Sequence, residues 1–305
     1  GTAGQYGGTP GQPFTAGGLG GTNTMWSGVS TLSQNGGFGG GAGGCVSMLY
    51  VPNGISADLT CSIGAGGAGA GLKVSIMTDA QLKSKGYGGI TAVGQGSANP
   101  QRLLQISYRP VKAKARKTYA YVGKGITFDT GGLALKPAAG MEAMKSDMSG
   151  AAAVCAATIA IALLKLPIAI DCYAPLAENM VSDNATRPSD VITIYGGKSV
   201  EVLNPDAEGR LVLADALVRA AEVGKKAGGL DGIIDVATLT GAQVVALGSR
   251  TSAVMTNDEN FSGQFLTAAN IAGESFWPMP LPVELRASLD SPIADLANIG
   301  DRMGG

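Results

Sequence analysis

Between Thr118 and Leu239 the chain alternates apolar runs of strand length with longer helical stretches, and this alternation leaves few folds open. TYAYVG (Thr118–Gly123), PIAIDCYAPLA (Pro167–Ala177) and GIIDVATL (Gly232–Leu239) are nearly continuous apolar runs. TYAYVG reads as a buried strand and PIAIDCYAPLA as a fully buried one, since a strand without in–out alternation is covered on both faces. Two helical stretches lie between them. One is Ala-rich and runs from about Asp147 to Leu164, with Ser146 placed to cap it; the other runs over about Gly209–Val223. Strand, helix, strand, helix, strand at this spacing implies right-handed crossovers and an α/β fold with a largely parallel sheet. The Ala-rich helix is apolar on most faces and is expected to be buried. LKVSIM (Leu72–Met77) and LLQISY (Leu103–Tyr108) read as further strands, and VITIYGGKSVEVL (Val191–Leu203) as a hairpin turning at Gly196–Gly197.

Residues Gly1–Gly71 are a different material. The runs GGFGGGAGG (Gly36–Gly44) and GAGGAGAG (Gly64–Gly71) have no hydrophobic periodicity and would lose much backbone entropy on ordering. They read either as a poorly defined segment or as a Gly-rich surface packed against a partner, with VSMLYV (Val46–Val51) as a short strand. The chain therefore divides into this segment, lead-in strands over residues 72–110, and a main domain over residues 111–305.

Composition excludes several functions. A net charge of −1, with VKAKARK (Val111–Lys117) as the densest basic cluster, argues against a nucleic-acid binder. The longest apolar stretch, Ala151–Leu166, is too short to span a bilayer comfortably. Cys45, Cys61, Cys155 and Cys172 form no C-x-x-C pair, and the last two read as buried free thiols, which favours a reducing compartment. The chain has no histidine, so Ser-His-Asp and Cys-His catalysis and any His-ligated metal are excluded.

What remains is carboxylate and lysine chemistry. VGKGITFDTGGLALKPAAGMEAMKSDM (Val122–Met148) and NPDAEGRLVLADA (Asn204–Ala216) carry Lys124, Asp129, Lys136, Asp147, Asp206, Glu208 and Arg210. Asp147, Asp206 and Glu208 taken singly could be acids at helix starts, placed there by the helix dipole, and the lysines could be ordinary surface residues. Together they suggest one site, because four converging carboxylates titrate upward unless cations neutralise them. Oxygen ligands suit Mg²⁺, Mn²⁺ or Zn²⁺, and two such ions about 3.5–4 Å apart can activate a shared water. In parallel sheets such a site lies beyond the carboxyl ends of the strands, where Lys124, Asp129 and Thr238 fall.

The segments VGKGITFDTGG, KP at Lys136–Pro137, KSDMSGAA, NATRP, NPDAEGRLVLADAL and DVATLTGA together resemble the leucyl aminopeptidase family of two-metal exopeptidases. The similarity runs in unbroken order from about Met77 to Gly305. It implies a mixed, mainly parallel α/β catalytic domain, with the Gly-rich region as the remnant of an N-terminal α/β domain. Asp129 and Glu208 would bridge two divalent ions, Zn²⁺ or Mn²⁺ and possibly Mg²⁺ by ligand type. Asp147 and a neutral Lys124 of strongly depressed pKa would complete one ion, and Asp206 the other. Lys136 would polarise the scissile carbonyl, and Arg210 would hold a bicarbonate as general base. Met144, Thr238, Leu239 and Gly241 would shape the substrate pocket. The resemblance further implies release of Leu-like N-terminal residues from peptides, a homohexamer of two stacked trimers, and a cytoplasmic or organellar location. In this family NATRP is a structural loop, although NAT formally matches a glycosylation acceptor.

Three departures stand out. Pro205 replaces the usual Thr before Asp206, with a fixed φ and no N–H to donate. The N-terminal domain is reduced to Gly-rich sequence, and the chain stops at NIGDRMGG, before the family's last strand and helix. The sequence is thus expected to be a piece of a longer protein, truncated at its C-terminus. Against the enzyme reading stands a catalytically silent family member with an assembly role; the intact ligand set favours the enzyme. DNA binding, known for some relatives, finds no basic or aromatic reading element here.

Overall fold

The computed structural model describes residues 71–111 and 114–300. The Gly-rich segment before Gly71, with its expected strand at Val46–Val51, lies outside the described residues. In chain order the elements are strand β1 (Leu72–Met77), helices α1 (Asp79–Ser84) and α2 (Gly88–Gly94), strands β2 (Arg102–Tyr108), β3 (Lys117–Gly123) and β4 (Gly125–Asp129). Helix α3 (Ser149–Leu163), strands β5 (Ile168–Asn179), β6 (Asp190–Thr193) and β7 (Ser199–Val202), helix α4 (Gly209–Lys226) and strand β8 (Gly232–Val236) follow. The remainder comprises α5 (Gly241–Leu247), β9 (Ser252–Val254), α6 (Glu259–Ala272), β10 (Phe276–Pro278) and β11 (Leu296–Ala297).

The main sheet has six strands in the order β1-β2-β5-β3-β8, with β4 also paired to β5. β5 is parallel to β3 and β4, and β8 is parallel to β3, whereas β1 and β2 are antiparallel additions on the other side of β5. The sheet is therefore mixed, and residues 72–110 form part of it. Neighbouring residues turn to opposite faces. Leu103, Ala120, Val122 and Tyr173 pack toward α2 and α4, while Leu104, Ile106, Cys172 and Ala174 pack toward α3. Both faces of β5 are thus covered, which is why its sequence shows no alternation.

Two expectations need correction. Helix α3 is not buried all round: Ala151, Val154, Cys155, Thr158 and Ala162 form one buried stripe, while Ala153, Ala156, Ala157 and Leu163 are exposed on this chain. Together with the 3-10 turn before it, α3 forms Met141–Leu163, long and apolar enough by length and composition to cross a membrane, yet its stripe lies on β3 and β5. Nor does Ser146 cap this helix. Ser146 ends the 3-10 turn (Met141–Ser146) and donates its hydroxyl to Ala143 O at 2.7 Å, so α3 starts at Ser149 and leaves Asp147 outside it.

Other expectations agree with the structure. The hairpin β6–β7 turns at Gly196 and Gly197, both with φ near +100°, a conformation that favours glycine. Cys155 and Cys172 are buried free thiols. Thr186 of NATRP is buried, its hydroxyl donating to Ala92 O at 2.6 Å.

Candidate metal centre

The sequence from Lys117 to Asp129 would make one long strand beside β5, but it is interrupted at Lys124. There the main chain leaves β5: Lys124 N donates to Val236 O (2.9 Å), closing the last rung of the β3–β8 ladder, and Lys124 O accepts from Ala151 N (2.8 Å) in the first turn of α3. The side chain lies buried against the start of α4. A Cβ on Gly209 would fall 2.6–2.8 Å from Lys124 Cδ, Cε and Nζ, so any side chain there would displace the lysine from this position.

Around Lys124 Nζ stand Asp147 Oδ2 at 2.9 Å, Glu208 Oε1 at 2.8 Å and Thr238 O at 2.7 Å. A second ammonium, Lys136 Nζ, lies 2.9 Å from Asp129 Oδ2 and also contacts Asp206 Oδ1. Asp129 ends β4, and the turn after it needs Gly131 at φ +87°, where a Cβ would meet Ala134 O and Asp206 Oδ1. Oxygens of Asp129, Asp206 and Glu208 lie within 4.8 Å of one another. The fold thus brings together the four acids and both lysines from the ends of β3, β4 and β8, the mouth of α3 and the loop before α4. Asp206 belongs to this cluster with Pro205 before it, and Asp206 N donates to Asn204 Oδ1 at 2.9 Å.

Burial sets the electrostatics. It pushes Glu208 up to about 7, with the charge of Asp129 adding to the shift and Lys124 only partly offsetting it. Burial likewise raises Asp147 and Asp206. Burial favours the neutral amine of Lys124, but Glu208 and Asp147 outweigh it and raise its pKa; divalent cations beside it would act in the opposite direction, toward the depressed, neutral lysine that the resemblance implies. Four carboxylates faced by two ammonium groups still leave excess negative charge in a shielded site.

Do these residues fit divalent ions? Asp147 Oδ2 and Glu208 Oε1 are buried and receive no aligned hydrogen bond, although Lys124 Nζ is close to both. Ligand atoms left without a directed donor, in a set of carboxylates and one amine, suit a hard or borderline cation. They fit.

The remaining candidates surround this cluster. Arg210, in the first turn of α4, is desolvated and its pKa is lowered by that burial; its buried Nε has no hydrogen-bond partner among the described residues. An unsatisfied guanidinium N–H is an anion-binding group. The Thr238 hydroxyl donates to Asp147 Oδ1 at 2.7 Å. Leu239 and Gly241 continue from it along an exposed rim, and Met144 projects from the 3-10 turn that leads to Asp147.

Two asparagines escaped sequence reasoning. Asn298 Nδ2 donates to Asn204 O (2.7 Å) and Ala207 O (3.3 Å), bracing the Asp206 loop. Asn179 ends β5 and is hydrogen-bonded to Asp129 itself. An Asn at the end of a largely apolar strand was the available signal, since a buried amide must find partners.

Residues 54–305 match the catalytic domain of the cytosol aminopeptidase family. A probable cytosol aminopeptidase of Streptomyces griseus is 54% identical over 241 residues, which is 79% of this chain and 45% of that protein. The corresponding protein of Streptomyces coelicolor is 55% identical over 235 residues, 77% of this chain and 44% of that protein. The chain thus spans less than half the length of these relatives. Among solved structures it is similar to the bottromycin maturation enzyme BotP in complex with Mn, with a TM-score of 0.73, 45% identity and coverage of 78% of this chain and 51% of that one. The match over most of the sequence and the agreement in fold show that the chain belongs to the cytosol aminopeptidase family.

Proposed function

We propose that this chain carries the catalytic centre of a metal-dependent aminopeptidase that releases N-terminal residues, Leu-like ones preferentially, from peptides. The observation that carries the proposal is the paired arrangement of the site, two carboxylate groups each gathered around one lysine ammonium and joined through Asp129 and Glu208. Lys124, Asp129, Asp147 and Glu208 would hold one divalent ion, and Asp129, Asp206 and Glu208 the other. Zn²⁺ and Mn²⁺ suit this donor set, and the Mn complex of a relative favours Mn²⁺ as the first ion to try. When bound, such ions lower the pKa of a water and act as Lewis acids.

The chain's own groups divide the remaining tasks. Lys136, whose side chain is 22% exposed, reaches both the acidic cluster and solvent, and would donate to the scissile carbonyl oxygen as charge develops there. Its pKa is raised: burial opposes the charge, but Asp206 and Asp129 outweigh burial, so it stays a donor at neutral pH. Arg210 would hold a bicarbonate able to accept a proton, the task a histidine performs elsewhere. Met144, Thr238, Leu239 and Gly241 would bound the side-chain pocket. Nothing lies within 4 Å of a Cβ built on Gly241, which leaves room on that rim.

Exposed Val245, Ile271 and Val283 are each more than 80% accessible on this chain, as faces that meet other subunits or further chain would be. The homohexamer of two stacked trimers rests on the family resemblance, and the names of the relatives support a cytoplasmic location. The test is hydrolysis of a leucine chromogenic amide after chelation, then after adding back Mn²⁺ or Zn²⁺. Loss and recovery of turnover is expected; metal binding without turnover on any N-terminal residue would refute the enzyme.

A further inference from the structure

We infer that Asn179 is a positioning residue of the metal centre, its carboxamide fixing the orientation of Asp129 and the spacing of the two loops that carry the ligands. The inference rests on the metal-dependent reading of the site. Asn179 is the last residue of β5 and stands opposite Asp129 in the β4–β5 pairing. Its main-chain oxygen accepts from Thr130 N (3.0 Å) and Thr130 Oγ1 (2.8 Å), which fixes its backbone at the start of the first ligand loop.

The side chain is buried, and both donor directions of Nδ2 are used. One bond runs to Asp129 Oδ1 at 2.9 Å and the other to Pro205 O at 3.1 Å. The first acceptor is a candidate ligand; the second is the peptide carbonyl immediately before another, Asp206. One planar amide therefore spans the two loops. The glycine after the first loop makes room for it, because a Cβ on Gly132 would lie 2.9 Å from Asn179 Oδ1.

The consequence for Asp129 is specific. Its Oδ1 accepts from both Asn179 Nδ2 and Gly131 N, each at 2.9 Å. Two donors fill the lone pairs of a carboxylate oxygen, so Oδ2, which faces Lys136, is the atom left to ligate. Removing the carboxamide frees the Asp129 carboxylate to turn and unties the Pro205 carbonyl. Partners of this kind commonly change metal affinity by about 10–100-fold.

A purely structural amide would look different, and the adjacent residue supplies the comparison. Glu178 is also buried, but its carboxylate accepts from Ser97 Oγ and Asn99 Nδ2, tying down a loop that carries none of the candidate ligands. The experiment titrates the full chain, stripped with chelator, with Mn²⁺ by calorimetry, and follows thermal unfolding of the metal-free protein. It compares wild type, Asn179→Leu, which keeps the volume and removes the donors, Asn179→Ala, and Glu178→Gln. We expect both Asn179 variants to lose Mn²⁺ affinity about 10–100-fold, while Glu178→Gln lowers the unfolding temperature and leaves affinity unchanged. Unchanged affinity in Asn179→Leu overturns the inference. So does an equal loss in Glu178→Gln, or failure of both Asn179 variants to fold, since the amide would then be structural. If the wild type itself takes up no Mn²⁺, the metal reading of the site falls first and the inference falls with it.

Discussion

Thr238→Val isolates one bond of the site. The main-chain oxygen that accepts from Lys124 Nζ at 2.7 Å is retained, and the side-chain volume hardly changes. Only the hydroxyl that donates to Asp147 Oδ1 at 2.7 Å disappears. A hydrogen bond to a charged group contributes about 1.5–3 kcal/mol. Thr238 is exposed, so water can replace part of that, and the lower end, about 1.5 kcal/mol or roughly tenfold in affinity, is the expected loss. The sign of the pH effect follows. Burial already raises the pKa of Asp147, and the Thr238 hydroxyl opposes that rise by favouring the carboxylate. Without the hydroxyl, protons compete better for Asp147, so Mn²⁺ affinity should fall more at pH 6 than at pH 8. Calorimetric titration of the chelator-treated variant at both pH values measures this, with Thr238→Ser, which keeps the hydroxyl, expected near wild type. Wild-type Mn²⁺ affinity at both pH values, with only KM for a leucine amide altered, would make Thr238 a pocket wall and refute the reasoning.

Three further outcomes are expected. Lys136→Ala should lower kcat far more than it raises KM, because its bond to substrate strengthens in the transition state; a mainly raised KM would reduce it to a substrate-positioning group. Asp206→Ala and Glu208→Ala should each abolish turnover while size-exclusion chromatography shows the same assembly as wild type; retained activity in either would sink the ligand assignment. Burial raises Asp215, in α4, from 3.8 to about 6 despite bonds from Ile90 N and Tyr195 N, so the stability linked to its protonation is complete below pH 3.8 and lost as pH rises through 6. That loss is about 3 kcal/mol, and Asp215→Asn should remove it; denaturant unfolding curves for variant and wild type that stay parallel from pH 4 to 7 would contradict it.

Much of the core was legible because its residues state their environment locally. β5 is apolar over most of its length since helices cover both its faces, and the hairpin turn needs two residues at positive φ, which Gly196 and Gly197 supply. The acids and lysines of the site were legible by type and clustering. What escaped depends on pairing between distant segments. The Gly-rich run around Asp129 reads as loop, yet Gly125–Asp129 is a strand, because β5 extends two residues beyond Ala177 and offers it a ladder. The role of Asn179 follows from that register alone, with Asp129 fifty positions away. The one-sided burial of α3 was hidden for another reason: alanine fits a buried and an exposed face equally well. Residues 241–300 leave Val245, Ile271, Leu281 and Val283 exposed on this chain, so local pattern gave little inside face to read there.

The interruption at Lys124 joins the two levels. In an unbroken strand each residue is held by its neighbours in the ladder and its side chain stands on one face of the sheet. Lys124 keeps a rung to Val236 at the end of β8 but has left its pairing with β5, its carbonyl accepting from Ala151 at the start of α3, and its ammonium meets acids from α3's mouth and from the loop before α4. Sheet, both layers of helices and site charge therefore converge on one residue. Two glycines make this possible at short range: a Cβ on Gly150 would strike Val236 O, and one on Gly209 would strike the lysine stem. Both glycines lie in the first turn of a helix, where alanine is preferred by less than the roughly 1 kcal/mol of a helix interior, a cost set against the position of the lysine and not against the fold. Gly209→Ala should accordingly favour the helix while pushing Lys124 away from Asp147 and Glu208, so that stability and Mn²⁺ affinity move in opposite directions. If both fell together, the glycine would be serving the packing of α4 and the lysine would have room elsewhere.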